Sequence, residues 1–270
     1  MRRQYAPPRR GRLAAARGLA LGGCVLAVAA AVGVWAREQL LNTDRWVQTS
    51  DDLLREAAIR DELASYLATQ LARGTPYRAR VESVARRALA SPALEPAWQA
   101  TNRAAHSQFV ALVRSKREAE LDLDLRPLLV ALGRQVGLPT ALLPPDAGRV
   151  RVLRPAQLDK AREGADVLET VAWWSVVLTA AALAAALLLG GTRVLLTAGI
   201  GLALAALLVL GLREVGGGIV AGEVAQRGGA EDAARAAWSV GTSLLEQIAI
   251  GMAIAGAVSA AIGLAARARR

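Results

Sequence analysis

Four uncharged apolar stretches, Gly18–Ala36, Val171–Thr192, Val194–Leu212 and Gln247–Ala266, leave this chain few ways to fold. At about 1.5 Å of rise per helical residue, runs of roughly 19–22 residues reach about 28–33 Å, close to the ~30 Å hydrocarbon core of a bilayer. The expected product is an all-α, multi-pass membrane protein with four transmembrane helices at 18–36, 171–192, 194–212 and 243–266.

Between those runs the chain is strongly charged. Hydrophobic residues make up 54% of it, yet 33 basic and 23 acidic residues accompany them. That mixture suits spans joined to a polar domain better than one soluble globule. A pI near 11.1 raises the question of nucleic acid, and the placement of charge answers it. Arg2, Arg3, Arg9, Arg10, Arg12 and Arg17 precede the first span without an acid among them; Arg267, Arg269 and Arg270 follow the last; Arg193 alone separates the second from the third. These account for the whole net charge of +10, so the basic balance flanks membrane spans and no nucleic-acid partner is expected.

The same residues set an orientation. Basic residues beside span ends stay cytoplasmic, which puts both termini (1–17 and 267–270) and the Arg193 turn inside. The domain 37–170 and the connection 213–241 then lie outside. Trp35, Trp173, Trp174 and Trp238 all fall at that outer boundary, where amphipathic indole rings are favoured.

A basic start followed by an apolar run also describes a secretory signal, and Leu21-Gly22-Gly23-Cys24 resembles a lipoprotein cleavage box. The run before Cys24 is shorter than a signal's apolar core, and the stretch continues to Ala36, so an uncleaved anchor is expected. Cys24 is then a small apolar residue. One cysteine excludes an intrachain disulfide and a cysteine-based metal cluster.

The domain 37–170 is long enough to enclose its own core. Thr43 and Ser50 are candidate N-caps, followed by Asp44 and by Asp51 and Asp52. Ile59, Leu63, Leu67 and Leu71 form an apolar stripe that ends at Gly74 and Pro76. A second helix is predicted over about 77–89, stopping at Ser91-Pro92, and a third over about 93–115. Leu121, Leu123 and Leu125 alternate with Asp122, Asp124 and Arg126, and Arg149 and Arg151 with Val150 and Val152. Period-two alternation predicts a minor two-stranded β element. A helix over 128–138 and another from about Ala156 into the second span complete a mostly helical extracytoplasmic domain.

Trp98, Asn102 and His106, the only histidine, share one helix face with Val110. As a functional group this row is a ligand site or proton sensor; as a structural one it locks its helix to a neighbour. The structural reading is preferred because no catalytic partner is identifiable. Asp122 and Asp124, with Glu118 and Glu120 ahead of them, lack the spacing and central glycine of a calcium loop and are flanked by Arg117 and Arg126. A solvated strand face is expected, and neither metal nor cofactor.

Phosphate-binding, zinc-protease, nucleophile-elbow and dinucleotide motifs are missing. Gly216–Gly218 and Gly228-Gly229 are predicted to be flexible connections. Glu246 is the candidate intramembrane polar residue; counting back from Arg267 places it about 21 residues away, roughly one bilayer and hence at the outer boundary. Gly251, Ala255, Ser259 and Gly263 form a candidate helix-packing ridge, within the bundle or against a second copy. Thr197, Gly201 and Ala205 repeat the pattern in the third span, and Gly18 with Gly22 in the first.

Three segments carry a family resemblance. Leu41-Asn42-Thr43-Asp44-Arg45-Trp46-Val47 resembles an LNTDRYV element, Trp98 to His106 a W-x3-N-R-x2-H element, and Leu158-x2-Ala161-Arg162 a third. Together they are similar to an uncharacterised family of four-span integral membrane proteins of high-GC Gram-positive bacteria, from about Arg37 to the last span. Trp46 stands where tyrosine is more usual. The resemblance implies a layout, one anchor, an extracytoplasmic domain and three further spans, in a bacterial plasma membrane; it brings no activity. The expectation is a non-enzymatic envelope protein whose outer domain binds a partner or ligand, another envelope protein or a second copy among them. A transporter or channel subunit, resting on Glu246, is the alternative, and a membrane-bound enzyme, resting on His106 and Asp122/Asp124, comes third.

Overall fold

A computed structural model describes residues 9–71, 76–115, 121–124, 130, 149–153 and 155–269. Among these, nearly all ordered elements are helical: α1 (Arg9–Leu41), α2 (Thr43–Arg55), α3 (Ala57–Leu71), α4 (Arg78–Leu89), α5 (Glu95–Arg114), α6 (Pro155–Gly190), α7 (Thr192–Gln226), α8 (Glu231–Gly241) and α9 (Ser243–Ala268). A 3-10 turn, Pro92–Leu94, leads into α5. Leu121–Asp124 lies antiparallel to Arg149–Leu153, Asp122 opposite Arg151 and Asp124 opposite Arg149, too short a pairing to alter a helical chain. The helix expected over 128–138 and the cluster Arg117, Glu118, Glu120 and Arg126 lie outside the described residues.

Four helices, α1, α6, α7 and α9, are long and apolar enough to cross a membrane. The chain forms two units: an apolar one of 1–37, 167–216 and 242–270, and a polar one of 38–166 and 217–241.

In the apolar unit small side chains are inside and large ones outside, the reverse of a water-soluble core. One interior cluster joins Ala16, Ala20, Ala186, Val194 and Ala198; another joins Ala31, Val209, Leu245 and Ala249. Leu188 is 85% exposed, and Leu204, Leu207, Ile254 and Ile262 are exposed too. Leucine gains nothing by leaving lipid, so contact between helices goes to residues that let backbones approach.

The closest approach is between α7 and α9. A methyl group built on Gly256 would lie 2.7 Å from the Gly199 carbonyl oxygen and 2.9 Å from the Ala203 nitrogen. One on Gly263 would lie 2.6 Å from the Leu196 nitrogen. Of the expected ridge, Gly263 belongs to this contact within the bundle, whereas Gly251 has open space around it and Ala255 is exposed. Four-residue steps advance about 400° on a 3.6-residue helix, so such a row slides round the cylinder by about 40° per step and leaves the contact. Gly201 faces α1 instead, where a methyl would lie 2.7 Å from Cys24 Sγ; Gly18 and Gly22 face open space. Cys24 is buried and donates its thiol to the Ala198 carbonyl at 3.6 Å.

The connection 213–241 is also corrected. α7 continues to Gln226, and α8 fills most of the remainder. Glycine costs a helix about 1 kcal/mol per residue, but Gly217 lies under Trp238, whose Cδ1 is 2.7 Å from where a β-carbon would stand. The indole packs on bare backbone, and that packing offsets the helix cost. The chain turns only at Gly228, with φ +79, and α8 begins with Glu231 and Asp232 at its positive end.

The polar unit packs α3 on α4 and α2 on α5. Leu54, Ala64, Ala85, Leu89 and Leu94 form its core, with Leu63, Leu67 and Trp98 against them. The caps differ from expectation. Asn42, extended at φ -104 and ψ 109, separates α1 from α2 and accepts the Asp44 and Arg45 N–H groups on its Oδ1. Thr43 is the first residue of α2, and Ser50 sits inside it, donating to the Val47 carbonyl.

Candidate functional site

The two sequence elements that stand out in the polar domain meet each other. Thr43, Asp44 and Trp46 at the start of α2 meet Arg103 and His106 in the second half of α5, and Ser50 and Asp51 farther along α2 meet Trp98 and Gln99 near the start of α5, so the helices run antiparallel. Thr43 Oγ1 and His106 Nδ1 are 3.1 Å apart. The Trp46 ring stacks on the imidazole with centroids 5.0 Å apart and planes at 18°. Arg103 pairs with Asp44. Farther along, Trp98 donates its indole N–H to the Ser50 carbonyl at 3.1 Å, and Gln99 donates its amide to Asp51 Oδ2 at 2.7 Å.

Local sequence sets this seam up. The Asn42 cap fixes where α2 starts, and its amide donates to Glu38 Oε2 at 2.7 Å. Thr43 is thereby placed on the first turn, its hydroxyl left for His106. On α5, Pro96 sits where no intrahelical N–H is needed. Of the predicted row, Trp98 and His106 reach across to α2. Asn102 does not: it donates to the Trp98 carbonyl one turn back on its own helix.

His106 is 5% exposed. Phe109 packs beside it at 6.0 Å, and Nε2 is buried with no hydrogen-bond partner. Burial lowers the imidazole pKa below its ordinary value, the Leu40 backbone pulling the other way. The ring is thus held neutral at pH 7. A hydroxyl beside an imidazole is the start of a nucleophile–base pair, but activation also needs a third group orienting the ring and room for substrate. Among the described residues the far nitrogen has no hydrogen-bond partner and the ring is 5% exposed, an arrangement that packs α2 on α5.

Asp51 differs in kind. Burial raises its carboxyl pKa; the Gln99 hydrogen bond opposes that, and the Glu95 charge adds to it. Oδ1 is buried without a partner. A folded-state pKa above the ordinary 3.8 means the folded chain holds this proton more tightly than the unfolded chain. Stability from Asp51 is therefore full below about 3.8 and falls as pH rises through the folded value. At pH 7 the ionised carboxyl is a burden. Asp51→Asn is expected to leave the melting temperature at pH 7 unchanged or raise it, by less than about 1 kcal/mol for a part-exposed group; a clear fall would refute this account.

A cleft of about 180 Å³ lies beside Asp51, bounded by Leu54, Arg55, Arg60, Leu89 and Glu95. Its arginines are engaged: Arg55 with Asp52 at 2.8 Å and Glu95 at 3.6 Å, and Arg60 with the Leu54 and Arg55 carbonyls that end α2. Small-molecule sites usually start at about 300 Å³. Among the described residues no three His, Cys, Asp or Glu side chains are grouped to hold a metal.

Glu246 stands at the start of α9, where Arg213 Nη2 meets its Oε2 at 3.0 Å. The same guanidinium donates from Nε to Thr242 Oγ1 at 3.0 Å and contacts Glu214 at 3.2 Å. Arg213 is the buried partner, its side chain 13% exposed against 44% for Glu246. Sequence reasoning missed Arg213 and Thr242; the available signal was an arginine directly after an apolar run on the side expected to be poor in basic residues. It also missed Gln39, whose amide donates to Thr49 Oγ1 and to the Gly241 carbonyl, each at 3.0 Å. No protein-family model, curated protein or solved structure matches the chain.

Proposed function

We propose that this chain is a non-enzymatic membrane protein of a bacterial envelope, with both termini cytoplasmic, whose polar unit faces outward and binds a partner or ligand. On this reading it is a member of the four-span family that its LNTDRYV-like and W-x3-N-R-x2-H elements resemble. The observation that carries the reading is that the polar unit is a body in its own right. It has a core of Leu54, Leu89 and Leu94 and a dedicated seam between α2 and α5, a larger structure than the connection of four spans requires. The arginines at both termini and at Arg193 support the orientation. The exposed Trp173 and Trp174, at the start of the apolar half of α6, support an interfacial belt there.

The test is made on intact cells carrying the full chain with Cys24→Ala and one new cysteine at the exposed Gln48. An impermeant thiol reagent is expected to label it without lysis, and mild-detergent purification after cross-linking is expected to recover a stoichiometric partner. Labelling only after lysis overturns the orientation; recovery of the chain alone from cross-linked cells overturns the binding role.

A further inference from the structure

We infer that His106 is an acid-sensitive catch on the α2–α5 seam, closed when the imidazole is neutral and released when it takes up a proton. The inference concerns regulation of the polar unit and holds whatever that unit binds.

Neutral imidazole fits the space it occupies. Nδ1 and the Thr43 hydroxyl satisfy each other at 3.1 Å, Trp46 covers one ring face, and Nε2 is enclosed without an acceptor. A protonated ring carries N–H on both nitrogens. Nδ1–H then donates to Thr43 and the Leu40 backbone favours the charged ring, whereas the Nε2 proton, bearing part of a positive charge, has no hydrogen-bond partner among the described residues. A buried donor left unmet is far costlier than one in water. The Trp46 face attracts an imidazolium, but ring faces favour cations only modestly.

Nearby charges do not rescue the ion. The elements around His106 carry Glu38 at the end of α1, Asp44 and Arg45 on α2, and Arg103 on α5; β1, Leu121–Asp124, which also packs on α5, adds Asp122 and Asp124. Asp44 is taken by Arg103, Arg45 donates to Gln48, and Glu38 accepts from Asn42. No charge interaction with the imidazole contributes to its pKa, which burial lowers. Among the described residues none accepts the second proton, and water reaches the 5% exposed ring only if α2 lifts from α5.

A base whose folded pKa is depressed favours the closed seam fully above its ordinary value of 6.5. Below that, the open form binds the proton and the closed form does not, so the closed-to-open ratio falls by at most about tenfold per pH unit until the closed-state pKa is reached.

The experiment uses the full chain in lipid nanodiscs, with Cys24→Ala and spin labels at Gln48→Cys on α2 and Gln108→Cys on α5. Because the chain has one histidine, isotopically labelled imidazole reports His106 alone. The label distance is expected to be single and short at pH 7.5. As pH falls below 6.5 a longer distance grows reversibly, its midpoint matching the imidazole titration. His106→Phe, which keeps an aromatic partner for Trp46, and His106→Gln are expected to stay closed to pH 4.5. An unchanged wild-type distance at pH 4.5 overturns the inference, as do opening that does not track the imidazole and opening of either variant over the same range. If neither variant folds, the wild-type comparison alone decides.

Discussion

Gly256→Leu is expected to force α7 and α9 apart and to destabilise the apolar unit by about 3 kcal/mol, the upper end of the usual cost of overpacking. The space for a β-carbon there is bounded by the Gly199 carbonyl oxygen at 2.7 Å and the Ala203 nitrogen at 2.9 Å. Both are backbone atoms of a hydrogen-bonded helix and have no rotamer to give way. A whole helix must translate, and the gap it opens unpacks Ala249 and Leu245 nearby on α9. Gly251→Leu is the matched control, with nothing within 4 Å of the new side chain's first carbon; it is expected to leave stability unchanged or to raise it by up to about 1 kcal/mol, the helix cost of glycine being removed. Both are measured as loss of helical signal on heating or titration with denaturing detergent in nanodiscs. The expected ridge of Gly251, Ala255, Ser259 and Gly263 gives the opposite order, so a Gly251 variant weaker than the Gly256 variant would refute the α7–α9 packing.

Why the α7–α9 contact does not follow that row is a matter of geometry. Of the residues of α9 that face inward, Leu245, Ala249, Gly256 and Gly263, the last three repeat every seven positions and drift only about 20° per repeat. A four-residue row is conspicuous in the sequence yet leaves the contact within two turns. The spans themselves were legible because bilayer thickness is an external ruler that needs no knowledge of neighbours. The same holds for α3 and α4, whose apolar stripe and Ser91-Pro92 stop are local signals.

What stayed hidden depended on residues far apart in the chain. Gly216–Gly218 have the composition of a flexible link, and only Trp238, on another helix, turns Gly217 into a packing site. Thr43 and Asn42 are both competent caps; Asn42 takes the role, and the threonine hydroxyl instead meets His106, 63 positions away. The face shared by Trp98 and His106 was visible from spacing. That it meets the LNTDRYV-like element was not, because nothing local to either helix names its partner. Glu246 was placed at a helix end, but its pairing with Arg213 joins the start of one helix to the middle of another.

Trp98→Ala is expected to be among the most damaging changes in the polar unit, at about 3 kcal/mol, the low end for removing a core tryptophan because the ring is only partly buried. The indole does two things. Its rings pack on the cluster of Leu54, Leu89 and Leu94, and its N–H is the hydrogen bond that ties α5 to the Ser50 carbonyl in the interior of α2. Trp98→Phe separates them: it keeps most of the apolar contact and deletes the donor, at about 1 kcal/mol. Hydrogen exchange on the full chain in nanodiscs is the measurement of choice, because it reads α2 and α5 individually. Both helices are expected to lose protection together in the alanine variant and to lose much less in the phenylalanine variant. The opposite pattern, in which Trp98→Ala leaves their protection intact and instead abolishes capture of a partner, would make the row a binding surface. Trp98 is joined to α2 by a main-chain acceptor that no side-chain change on α2 removes, so the seam and a binding surface make incompatible demands on the same indole.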